Sequence, residues 1–312
     1  MNVVLALLPD FALILGGAGL RRWLHLDDHF WQALEKLIYV VLFPALLVNS
    51  LARTHIDWPA ALPLVATVGG GMLAAMLAAR AFGGFGIAPR DFAARQQCAF
   101  RFNTYIGLAI VGTLHGAPGI AVMAIIIGAM VPLANFVAVS LLARHGESSV
   151  WRELAGNPLI LATLAGLAIN AAGIALPDTL LRILGRLAEA SITLGLLAVG
   201  AGLRLAPTAA KHSRGGTADV ASGARGSTAC SAWLLVVKLA IKPAVVWALA
   251  AWIGLPPLQA QVALAWAALP TANSAYILTR RMGGDGRPIA WLVSVSTLLA
   301  MLTLPLWLNL AQ

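Results

Sequence analysis

Charge is what this sequence has least of. Of 312 residues, 11% are Asp, Glu, Lys or Arg, and 60% are hydrophobic. A soluble domain of this length needs far more polar surface. Cysteine is nearly absent: Cys98 and Cys230 are far apart, lack metal-ligand spacing and read as free thiols. None of the six histidines lies deep in an apolar run or at ligand spacing. There is no nucleophile–base pair, phosphate-binding loop or dinucleotide fingerprint, so neither an enzyme nor a bound metal or cofactor is expected. No basic segment precedes the first apolar run; the first charges are Asp10, then Arg21 and Arg22. That pattern reads as an uncleaved first span with its N-terminus outside, not as a signal peptide.

What the chain has instead is long apolar runs. They are not amphipathic stripes and do not alternate with a period of two, so an all-α integral membrane protein is expected and a β-barrel is not. Ten spans are expected, at 3–20, 30–51, 59–82, 96–114, 120–142, 158–174, 180–203, 232–253, 258–280 and 289–310. The net charge of +9 is no sign of nucleic acid, because no basic block interleaves with aromatics. It follows the loops: fourteen Lys and Arg lie in odd-numbered loops and three, Arg53, Arg182 and Arg186, in even ones. Odd loops therefore face the cytoplasm and both termini face out. Residues 206–228, rich in Gly, Ser, Thr and Ala, read as a flexible cytoplasmic loop. The Gly69-Gly70-Gly71 run reads as a close helix contact.

A weak internal repeat appears at a spacing of 168 residues, placing Phe102-Asn103-Thr104-Tyr105 on Pro270-Thr271-Ala272-Asn273 and His115-Gly116 on Gly283-Gly284. Leu34–Leu37 also aligns with Leu184–Leu187, at a spacing of 150 residues. Two five-helix repeats follow: 1–145 and 157–312, joined by a linker at 146–156. An odd number of spans per repeat inverts the second copy.

The polar residues gather where the repeats correspond. The ninth span carries Pro270, Thr271, Asn273 and Ser274 near its middle. Proline inside a helix removes a backbone hydrogen bond, and hydrocarbon supplies no water to replace it. The fourth span carries Arg101, Asn103, Thr104 and Gly107 without a proline, so the ninth is expected to shape most of the site. Crossed, discontinuous helices 4 and 9 would present half-helix N-termini, which suit an anion. Lys242, one turn from Lys238 and followed by Pro243, is costly in a membrane and reads as an anion contact or a partner of Glu189 or Asp10. Lys238 and Arg101 are possible charge-balancing groups that could also snorkel to the cytoplasm. Asp10 and Glu189, near the outer boundary, read as interfacial or capping acids before proton relays. Asn49, Asn135 and Asn170 read as interhelical amides.

The chain resembles the auxin efflux carrier family, in its bacterial branch of malonate-type transporters. The resemblance rests on Leu8-Pro9…Gly16…Leu20-Arg21-Arg22, Leu42-Phe43-Pro44-Ala45-Leu46, Arg101–Gly107, Lys238…Pro243, Leu269–Tyr276 and Met282-Gly283-Gly284-Asp285, in family order. It implies an inverted repeat like that of bile-acid symporters, with spans 1, 2, 6 and 7 as scaffold and spans 3–5 and 8–10 as the transporting part. It further implies a secondary carrier of a small organic anion in the inner membrane of a bacterium: malonate, malate, another carboxylate or an auxin-like acid. A sodium-coupled symporter on the same fold is the alternative. No cofactor is expected, coupling to H+ or Na+ stays open, and the expected partners are the anion, the lipid bilayer and a second copy in a homodimer.

Overall fold

The computed structural model describes residues 3–53, 58–81, 87–143, 158–203, 217–282 and 284–310. Among these, every regular element is helical and no strand occurs. In chain order they are α1 (Val3–Trp23), α2 (Asp28–Arg53), α3 (Trp58–Ala81), α4 (Pro89–Phe100), α5 (Thr104–Ala143), α6 (Pro158–Ala171) and α7 (Asp178–Ala201). Then come α8 (Thr217–Val236, Val237–Ile241 and Lys242–Ile253), α9 (Pro257–Ala268), α10 (Ser274–Arg281) and α11 (Arg287–Leu310). Among the described residues six helical stretches are long and apolar enough to cross a membrane, the longest joining α4 to α5. α6 is a shorter apolar helix.

Proline sets the irregularities in α2 and α8. Each holds one π-helical turn, Ile38–Leu42 and Val237–Ile241, just before Pro44 and Pro243. Pro243 has no N–H for the carbonyl of Leu239. That carbonyl instead accepts a 2.8 Å hydrogen bond from Trp307 Nε1 on α11. Within α5, Gly116 breaks the helix at φ 60°, ψ −147°, a conformation open to glycine. This break divides the expected fourth and fifth spans.

Small residues let the helices approach. α1 packs along α7, and a Cβ on Gly200 would fall 1.7 Å from the carbonyl oxygen of Ile14. α3 packs along α8, where a Cβ on Gly71 would fall 2.2 Å from Val246 Cγ2. This is the close contact expected of the glycine run. α2 packs against α6 and α7, while α9 packs against α5, α8 and α11. α1, α2, α6 and α7 thus form one group, and α3–α5 with α8–α11 another. They meet along a seam where α5 touches α1, α2, α6 and α7.

Two loop expectations are affected. The 146–156 linker lies outside the described residues, as does 206–216. From Thr217 onward the chain is helical, so the second part of the expected flexible loop is the start of α8.

Candidate functional site

The expected fourth and ninth spans are both broken. α4 and α9 are both twelve-residue helices that begin on a proline, Pro89 and Pro257. Each ends on an extended residue: Arg101 at φ −65°, ψ 147°, and Leu269 at φ −60°, ψ 145°. Pro89 and Arg101 fall on Pro257 and Leu269 at the 168-residue spacing seen in the sequence. The expected ninth span is interrupted over 269–273 and the expected fourth over the shorter 101–103, outright rather than merely loosened and without a proline. Its backbone groups find other partners. The Asn103 side chain accepts from the N–H groups of Tyr105 (3.0 Å) and Ile106 (3.3 Å), capping α5. Asn103 N–H donates to the Pro270 carbonyl at 2.9 Å, so the two breaks touch through their backbones.

Further bonds tie the two breaks to their surroundings. Thr271 Oγ1 donates to the Cys98 carbonyl in the last turn of α4 (2.7 Å), and Thr271 N–H donates to Ser296 Oγ on α11 (3.2 Å). Gln97 Nε2 donates to Thr279 Oγ1 on α10 at 2.8 Å. Gly107 faces Leu269; a Cβ there would come within 2.7 Å of Leu269 Cδ1. Across the seam, Phe43 of α2 stacks on Tyr105 at 4.5 Å between ring centroids. A Cβ on Gly202 would lie 3.1 Å from the Asn273 amide nitrogen. Asn273 is the N-cap residue of α10 but makes no side-chain cap bond; Thr104 is half-buried and Ser274 exposed.

The basic residues are placed differently from the snorkelling alternative. Lys238 is buried and donates to the Arg101 carbonyl at 2.7 Å, supplying a cation to a helix C-terminus. Arg101 is buried too, donating to Gln97 Oε1 at 3.1 Å and, in a short contact, to Asn135 Oδ1. Both are held inside the protein. Lys242 is fully buried, and its ammonium has no hydrogen-bond partner. It lies 3.6 Å from the ring centroid of Trp266 on α9 and 5.6 Å from that of Phe102 at the α4 break. The two rings meet edge to face at 5.2 Å. One aromatic from each broken span therefore faces the Lys242 amino group.

The acids stay away from these cations. Among the described residues Asp10 is the only buried carboxylate. It lies inside α1, bonded by Thr113, which corrects its expected capping role; Glu189 is exposed on α7. A carboxylate partner for Lys242 is thus absent among the described residues. The amide of Asn170 bridges helices by donating to the Leu51 carbonyl at 2.8 Å, and Asn135 does so through Arg101.

Sequence reasoning missed Trp266, Gln97, Thr279 and Ser296, and did not give Phe102 a role. Only Gln97 carried a signal, as an amide one turn before Arg101 in an apolar run. A buried lysine amine between two helix breaks, with no carboxylate beside it among the described residues, can meet an anion there.

The sequence profile of the family described as membrane transport protein matches residues 142–308, just over half of the chain, including α7 to α10. No curated protein matches the chain.

Proposed function

The chain belongs to the membrane transport protein family, the auxin efflux carriers its motifs resemble, and from that premise we propose that it is a secondary carrier of a small organic anion. The observation that supports this most is the buried Lys242 ammonium, without a hydrogen-bond partner, beside two helix breaks bonded through Asn103 N–H and the Pro270 carbonyl. A carboxylate at this place gains the Lys242 ammonium, and Asn273 and Ser274 at the start of α10 add polar groups to the second break. Thr271, Asn103 and Gly107 hold the crossing that frames it. Arg101 and Lys238 fix its backbone and add to the positive potential.

In this reading the chain crosses the inner membrane of a bacterium ten times, as two inverted five-helix repeats with both termini outside. The group of α1, α2, α6 and α7 is the scaffold. The other group carries the crossing past it and exposes the site to each side in turn, as in an elevator. The substrate is malonate, malate, another small carboxylate or an auxin-like acid.

The test is counterflow in vesicles reconstituted with purified protein, over malonate, malate, lactate and indole-3-acetate, with and without sodium. Pro270→Ala combined with Asn273→Ala abolishes exchange while the protein stays folded. Full exchange in that double variant removes the crossing from the account.

A further inference from the structure

We propose that Asp10 is the proton-binding group that couples this carrier to a pH gradient, acting through its contact with Thr113. The inference rests on the carrier reading above. Asp10 is buried inside α1, and Thr113 Oγ1 on α5 donates to its Oδ2 at 3.0 Å. α1 belongs to the group built on α7, whereas Thr113 lies on the outer half of the broken fourth span, ahead of Gly116. The hydrogen bond therefore bridges the seam between the two groups. Thr113 itself is exposed, so the pair lies at an open edge of that seam.

A carboxylate in an apolar helix is costly unless its charge is paired or hydrogen-bonded. The elements packed against α1 are α7, α5 and α11. Their titratable side chains among the described residues are Asp178, Arg182, Arg186 and Glu189 on α7, Tyr105 and His115 on α5, and Arg287 on α11. Arg287 pairs with Asp285, and none of the others is in ion-pair contact with Asp10. Within α1, Arg21 pairs with Asp28 in a short contact and also donates to the Ala201 carbonyl at 2.6 Å. Among the described residues Asp10 thus has one side-chain donor, and that donor belongs to the opposite group.

Sliding one group past the other withdraws the Thr113 hydroxyl. The ionised carboxylate is then left buried without a donor, and binding one proton cancels its charge. The protonated protein favours the displaced arrangement and the ionised protein the one described here. Proton binding and displacement are therefore linked, each shifting the other by the same free energy. In one cycle a carboxylate oxygen of Asp10 forms an O–H bond with a proton from the aqueous phase on one side. That bond breaks on the other side when Thr113 returns; the substrate is unchanged.

The experiment uses full-length protein in vesicles with the membrane potential clamped to zero, with malonate and malate as probes and accumulation counted above that in protein-free vesicles. With one proton per anion, a gradient of about one pH unit drives about a tenfold accumulation by the wild type, the ratio one proton can sustain. Asp10→Asn keeps counterflow within about twofold of wild type, since exchange needs no net proton movement, but no longer accumulates any acid. Asp10→Glu restores accumulation. Thr113→Val keeps accumulation but moves the pH at which it is half-maximal, which a purely structural hydroxyl would not do. Accumulation by Asp10→Asn overturns the inference. So does loss of counterflow in folded Asp10→Asn, or wild-type counterflow that no pH gradient can drive uphill. Failure of the wild type to exchange any acid is a different result and removes the carrier reading itself.

Discussion

Replacing Gly107 by alanine tests how closely the two broken helices meet. The added Cβ falls 2.7 Å from Leu269 Cδ1 and 3.5 Å from the Met123 methyl. Carbon atoms rest at about 3.5–4.0 Å, so Leu269 must retreat by roughly 1 Å. Leu269 is fully buried, and it is the extended residue that ends α9. Retreat therefore moves the neighbouring Pro270 carbonyl away from Asn103 N–H. Overpacking of this size costs about 1–3 kcal/mol. Leu269→Val removes the obstructing δ-carbon at a smaller cost and suits an extended backbone. The double variant is then more stable than the sum of the single effects predicts, because the two sites are in contact. Thermal unfolding in detergent, followed by tryptophan fluorescence, measures all four proteins. An unchanged midpoint for Gly107→Ala, or strict additivity with Leu269→Val, refutes this packing of the crossing.

Two further outcomes follow from the same geometry. Thr271→Val leaves the Cys98 carbonyl without its side-chain donor at the end of α4, lowering stability by about 1–3 kcal/mol in the same unfolding assay. Gly200→Ala drives a methyl into the α1 backbone at the Ile14 carbonyl, which no side-chain rotation relieves. It should cost more than the roughly 1–3 kcal/mol of ordinary overpacking, seen as loss of monodisperse protein on size-exclusion chromatography.

The membrane character, the positions of the apolar helices and both breaks were legible because each leaves a local trace. Long apolar runs mark the helices, Pro270 marks one break, and Asn103, next to the residue that matches Pro270 in the repeat, marks the other. The completeness of the fourth-span break was not legible. Without a proline, the interruption is sustained by tertiary bonds: Asn103 N–H to Pro270, and Lys238 to the Arg101 carbonyl. The depth of Lys238 and Arg101 was hidden for the same reason. Their length permits snorkelling, and only the placement of Gln97, Asn135 and the Arg101 carbonyl shows that they are held inside. Trp266 and Phe102 are indistinguishable from core residues until α8 is seen to bring Lys242 over their rings. Asp10 was visible as an acid in an apolar run, but its donor lies 103 positions away.

The central claim is that an organic anion passes through the crossing of the two broken spans. Counterflow by the purified wild-type protein in sealed vesicles tests it most directly. The vesicles are loaded in turn with unlabelled malonate, malate, lactate or indole-3-acetate, with the labelled acid outside. The account predicts transient uptake of at least one labelled acid above its equilibrium level, absent from protein-free vesicles. Folded, correctly inserted protein that exchanges none of the four would contradict it.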